Sequence, residues 1–162
     1  MDAITLDGIL GELGPLLSGR HLSRPRLVGP SAVVFETSVS RGHRLWIDAG
    51  RGTAGLYWLS RERARKLQDE RSTGRARQAK LHFRKHLDGA RVGVLTRVAG
   101  ERTLLLETKG GALALRFSGP APALTLVREG EALATIGDGP AAWPLPLCGG
   151  AVGRPGRGYS RR

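Results

Sequence analysis

The sequence predicts an α+β protein: an antiparallel β-sandwich or flattened barrel with an N-terminal helix and one central basic helix. Three observations lead there. Beyond residue 90, apolar residues recur with a period of two in short runs broken by Gly-containing turns. Between residues 26 and 60, further short runs rich in Val, Ile, Leu and Trp are separated by glycine turns. Only two segments, near residues 5–17 and 74–87, space their apolar residues by three and four.

In residues 5–17, Thr5 is a plausible N-cap, and Leu6, Ile9, Leu10, Leu13 and Leu17 form a stripe suited to packing on a sheet. Gly14 and Pro15 weaken the last turn. RLVG, AVVFETSV, HRLWIDA and GLYWLS then read as an antiparallel meander ending at residue 60. Residues 61–73 are charged, lack apolar periodicity and read as a mobile loop. In residues 74–87, Ala76, Ala79, Phe83 and Leu87 share one helical face, and Arg77, Arg84 and Lys85 the other, with Leu81 among them. Gly89 suits the left-handed position that ends a helix. Four or five strands follow, reversing at Gly100-Glu101, Gly110-Gly111, Gly119-Pro120 and Glu129-Gly130. Residues 1–137 form the expected domain, and 138–162 an irregular basic tail rich in Gly and Pro. No internal repeat of fixed period is evident.

The formal net charge of +12 is unevenly spread. Residues 61–91 hold eleven Arg and Lys against four Asp and Glu, and residues 149–162 add four Arg and no acid. A field concentrated in this way points at a polyanion, with Arg77, Lys80, Arg84, Lys85 and Arg91 as candidate phosphate contacts. The competing reading is a solvated basic face. Cys148 is alone, which excludes a disulfide framework and a cysteine metal site. No apolar run is long enough for a membrane span, and the first residues have no basic leader, so the expected location is cytoplasmic, with no membrane partner.

Residues 50–55, GRGTAG, match the dinucleotide-binding spacing, but the strand-like LYWLS follows where that motif needs a helix, so a hairpin loop is expected. His82 and His86 lie four apart, yet HFRKH lacks the glutamate of a zinc protease, and Arg84 and Lys85 repel a cation. Trp46 and Trp58 are assigned to core packing ahead of base stacking. No nucleophile or acid–base constellation is present in the sequence, which predicts a protein that is not an enzyme and takes no cofactor or metal.

Several stretches together resemble one family. The start MDAITLDGILGEL, the helix end Arg84-Lys85-His86-Leu87-Asp88-Gly89-Ala90-Arg91-Val92 and the following VLTRVAGERTLLLET occur in the order seen in the NFACT-N domain. That domain opens the RqcH/NEMF proteins of ribosome-associated quality control, a family also described as fibronectin-binding. Residues 154–159 resemble its closing segment. The resemblance implies a fold similar to the N-terminal domain of formamidopyrimidine-DNA glycosylases. Here Met1-Asp2-Ala3 replaces the catalytic Pro-Glu start of those enzymes. It also implies binding to tRNA and to the large ribosomal subunit, in rescue of stalled ribosomes by C-terminal tailing of nascent chains. Glu101 and Arg102 stand where the family has a tRNA-recognising Asp-Arg turn, with Arg97 beside them. Glu101 is one methylene longer than the family's aspartate, which moves the carboxylate. Family members continue into a coiled coil and a second RNA-binding domain. This chain of 162 residues is therefore expected to be a fragment, a stand-alone relative, or a split half whose missing domains lie on a separate chain. The alternatives are a DNA-binding glycosylase-like protein without the catalytic start and a non-catalytic protein-interaction module.

Overall fold

The computed structural model describes residues 3–71, 77–99, 101–117 and 121–142. Its order is α1 (Ala3–Leu17), β1 (Leu22–Val28), β2 (Ala32–Thr37), β3 (His43–Asp48), β4 (Gly55–Ser60), α2 (Arg61–Arg71), α3 (Arg77–Leu87), β5 (Val92–Arg97), β6 (Thr103–Thr108), β7 (Gly111–Arg116), β8 (Ala123–Arg128) and β9 (Glu131–Gly137). Strands β1 to β4 form one antiparallel meander and β5 to β9 a second. The protein is thus α+β with two antiparallel sheets, a flattened sandwich and not a closed barrel.

Period-two alternation explains how each strand serves two environments. In β6, Leu104 and Leu106 enter the main core while Leu105 faces outward, onto Ala114 and Ala142. In β3, Leu45 and Ile47 point to the core while Trp46 points out. Leu6, Leu13 and Leu17 of α1 and Ala79, Phe83 and Leu87 of α3 complete the main core. The buried face expected of α3 is therefore correct for the described residues, and Leu81 is 62% exposed on the opposite side. Ala76 lies outside the described residues.

Two expectations are overturned. Residues 61–71 are helical, so the centre of the chain holds two helices where one was predicted. The Arg63 backbone N–H donates to Ser60 Oγ (3.3 Å), which caps α2, and Glu62 favours the positive end of the helix dipole. Ala64 and Leu67, three apart, then pack on Trp46 and its neighbours. Two small contacts were too little periodicity to see, although the intervening Arg, Glu, Lys and Gln are good helix formers. In addition, α1 begins by Ala3, ahead of Thr5, and runs through Pro15 to Leu17.

The structure also carries a repetition that the sequence does not display. Residues 17–22 and 87–92 exchange equivalent hydrogen bonds across an antiparallel seam, at an offset of 70 residues. Gly19 N–H donates to Val92 O (2.9 Å) and Gly89 N–H to Leu22 O (2.7 Å); Val92 N–H donates to Arg20 O (2.7 Å) and Leu22 N–H to Ala90 O (2.9 Å). Gly19 and Gly89 have φ of 76° and 79°, so each helix ends in the same left-handed turn. Beyond the seam, Leu22 pairs with Thr37 and Val92 with Thr108, and both β1 and β5 then carry a bulge. Each helix reaches across to the other half, α1 packing on β5 and α3 on β1, while α3 also packs on β9 of its own half. The molecule is two helix–meander units joined about a local two-fold axis.

Candidate nucleic-acid interface

The β1 bulge builds a cationic concavity. Pro25 has no N–H to give to the ladder, which a bulge tolerates, and the extra residue throws Arg24 into the left-handed region at φ 48°. That conformation is unfavourable for a side chain larger than glycine's, by about 1–2 kcal/mol. It is held by Asp88, whose Oδ1 accepts from Arg24 N–H at 2.8 Å, and Glu36 Oε2 lies 3.8 Å from Arg24 Nη1. The Arg24 side chain is 70% exposed.

A cleft of about 610 Å³ opens between this bulge and α3. Arg24, Arg26, Lys80 and Arg84 line it, with Asp88 as the one carboxylate and Gln68 of α2 at its border. Lys80 and Arg84 are one helical turn apart and share a face. They flank the buried stripe of Ala79, Phe83 and Leu87, which sets them at the edge of α3 that lines the cleft against β1. Each cation added to such a cleft raises the local potential for a phosphate.

The other sequence-predicted residues are dispersed. Arg77 opens α3, but its side chain lies outside the described residues. Lys85 is exposed and contributes to the field at His86, away from the cleft lining. The His86 pKa is held below its ordinary value by burial first, then by Arg128, Lys85 and His82; Arg128 Nη1 lies 3.3 Å from its Nδ1. His82 and His86 stack at 6.2 Å, and no cluster of three metal-binding side chains occurs among the described residues. Arg91 lines a different depression, with Ser18, Gly19, Glu107 and Lys109, at the α1–β5 crossing. Arg97 donates through Nε to Asp7 Oδ1 (3.0 Å) and ties β5 to α1. Glu101 and Arg102 lie in the β5–β6 turn, closed by Val98 N–H to Thr103 O (2.9 Å) and Glu101 N–H to Val98 O (3.0 Å). Arg102 is exposed.

Sequence reasoning missed Arg24 and Arg26. The only signal was Pro25 inside an otherwise strand-like run, the mark of a bulge. Residues 49–54 form the hairpin loop between β3 and β4, with no helix after them. Asp48 is buried and its Oδ1 accepts Gly50 N–H (2.7 Å), while a Cβ on Gly50 would lie 2.8 Å from Thr53 Oγ1. Burial and the Asp48 charge raise the pKa of Tyr57, whose hydroxyl donates to Thr53 O (2.8 Å). Trp46 is buried under α2, and Trp58 packs at the core margin, stacked on His43 at 5.5 Å.

Fold and cleft define a two-sheet α+β domain with a cationic groove at an internal helix–strand crossing. Among solved structures, this architecture matches the N-terminal domain of fibronectin-binding protein PavA from Streptococcus pneumoniae, with a TM-score of 0.69 and 16% identity over 90% of this chain and 59% of that one. It matches the N-terminal part of the fibronectin/fibrinogen-binding protein FBPS from Streptococcus suis, with a TM-score of 0.65 and 15% identity over 87% and 55%. A fibrinogen-binding protein from Staphylococcus aureus gives 0.64 and 14% over 83% and 49%. The chain thus has the fold of PavA-like N-terminal domains, the NFACT-N fold, and spans about half the length of these structures. No family model matches the sequence, and no curated protein does. No helix among the described residues is long and apolar enough to cross a membrane.

Proposed function

We propose that the chain is a non-catalytic RNA-binding domain of ribosome-associated quality control, working in the cytoplasm on tRNA and the large ribosomal subunit. The observation that carries this reading is the meeting of Lys80 and Arg84 with Arg24 and Arg26 in one cleft, from two elements far apart in the chain. A phosphodiester backbone is the ligand class that rewards closely spaced cations with few carboxylates. The likeness of the helix end and of the β5–β6 turn to NFACT-N narrows RNA to the translation machinery. In this reading Glu101 and Arg102 recognise tRNA, and Arg102 offers a planar fork to a phosphate or stacks on an unpaired base. The fold kinship proposed with formamidopyrimidine-DNA glycosylases carries no reaction with it in this reading, because a shared fold does not imply a shared chemistry. Incubation with oxidised-purine duplexes and borohydride should trap no adduct.

The experiment is tRNA binding as a function of salt. Four to six phosphate contacts give a log–log slope of about −3 to −5. A slope near zero, or no binding at low salt, removes the reading. Arg102→Ala should change stability by less than about 0.5 kcal/mol. It should weaken tRNA by about 1–3 kcal/mol and leave an unrelated RNA of equal length unaffected. Equal loss of both RNAs would reduce Arg102 to a non-specific contact.

A further inference from the structure

The cleft does not end at Arg24. Arg24, Arg26 and Gln68 also border a second cavity of about 200 Å³ on the outer face of the first sheet, beside α2. Arg44 from β3 and Arg61 and Arg65 from α2 join them there, with Glu36 as the one carboxylate. Register explains the cluster. Glu36 pairs with Arg44 and Val34 with Arg26, so these side chains share the outward face, and Val34 and Trp46 beside them seat α2. Arg44 is held in place by Nη1, which donates to Arg41 O (2.9 Å) and His43 O (3.0 Å). Five guanidinium groups against one carboxylate is more cation than a sheet-to-helix contact requires.

We propose that the two cavities are arms of one track that grips a single-stranded nucleic acid by its phosphodiester backbone, turning at the Arg24 bulge. This rests on the nucleic-acid reading above and extends it to Arg44, Arg61 and Arg65. Two features select a single strand. The track passes from the crossing of α3 and β1 to the outer face of the sheet under α2, a change of direction within a few residues of β1. A duplex with a persistence length of about 150 bp does not follow such a turn, whereas a single strand does. The lining side chains are mostly cations and contain no exposed aromatic ring, so grip on the backbone dominates over stacking and base preference is weak.

The test is fluorescence anisotropy with a labelled RNA strand of about 12 nucleotides. The comparison ligands are the DNA strand of the same sequence and the RNA duplex of equal length. The parent, Lys80→Gln/Arg84→Gln, Arg61→Gln/Arg65→Gln and Arg61→Lys/Arg65→Lys are compared at matched melting temperature. Both single strands should bind at least tenfold more tightly than the duplex. The α2 glutamine pair should weaken them about tenfold and reduce the salt slope by about 1.4, at ~0.7 per lost contact. The lysine pair should restore most of the loss. Equal binding of duplex and single strand overturns the proposal, as does an α2 glutamine pair that behaves like the parent. If that pair is silent while the α3 pair loses binding, the second arm is refuted and the nucleic-acid reading stands. If the parent binds no nucleic acid at low salt, both fall.

Discussion

The α1–β5 and α3–β1 crossings are built on one plan and differ in charge. Both have a helix ending Leu-x-Gly, a left-handed glycine, a shared seam and a bulged strand beyond it. At the offset of 70, Leu10 of α1 answers to Lys80, Gly14 to Arg84 and Pro15 to Lys85. The only charged residues of α1 are Asp7 and Glu12. The turns differ in the same sense: Gly29-Pro30 lies between β1 and β2, and Glu101-Arg102 between β5 and β6. The molecule therefore contains its own control. A crossing of this shape folds with no cation on its helix, its cations Arg91, Arg97 and Lys109 standing on the strand side, so those on α3 are not required by the fold.

The comparison breaks most readily in the core. Leu13 and Phe83 are equivalent and both buried. Leu13→Ala should cost about 2–5 kcal/mol and Phe83→Ala about 3–5 kcal/mol in denaturant unfolding. A cheap Leu13→Ala would show that α1 is an accessory and that the crossings are not equivalent. The cleft comes next. Lys80→Ala with Arg84→Ala should weaken tRNA binding by about 2–3 kcal/mol with little change in stability. Arg91→Ala, at the opposite crossing, should have the smaller effect on affinity and salt slope. A reversed ranking would move the interface to the α1 side.

The polar residue after each helix offers a finer test. Ser18 Oγ donates to Gly93 O (3.0 Å), and Asp88 Oδ1 accepts from Arg24 N–H (2.8 Å). Asp88→Ala loses a charge-assisted bond and releases the Arg24 bulge, a loss of about 1–2 kcal/mol, against about 0.5 kcal/mol for Ser18→Ala. Asp88→Ala should also weaken RNA binding although it removes a negative charge. If it tightens binding, the bulge does not position Arg24. The smallest effect is on pH. His86 stands where α1 has Leu16. Its pKa is lowered in the folded state, so the unfolded chain binds the proton more readily. Stability should be full above the ordinary imidazole value of about 6.5 and decline slightly as pH falls below it. His86→Leu should flatten that decline in thermal melts.

Much of this was written locally. The buried side of α3 follows from Ala79, Phe83 and Leu87 at four-residue spacing, and the strands beyond residue 90 from simple alternation. What was hidden depends on distance in the chain. Helix α2 needs Trp46 and its neighbours to explain it, because Ala64 and Leu67 make no visible stripe alone. The repeat leaves only Leu and Gly in common at the two helix ends, since backbone hydrogen bonds, which any residue makes, carry the equivalence. Lys80 and Arg84 were legible as cations, but their partners Arg24 and Arg26 sit more than fifty residues away and were placed by a bulge.

The exchange of helices between the two meanders also bears on synthesis. The strand that receives α1, β5, begins at Val92, 75 residues after α1 ends at Leu17. A ribosome adding about 5–20 residues each second delivers β5 several seconds after α1. Through that interval Leu6, Leu13 and Leu17 have no permanent cover, and β1 likewise waits for α3. The contacts that cover these residues join segments far apart in the sequence, the kind of contact that slows folding.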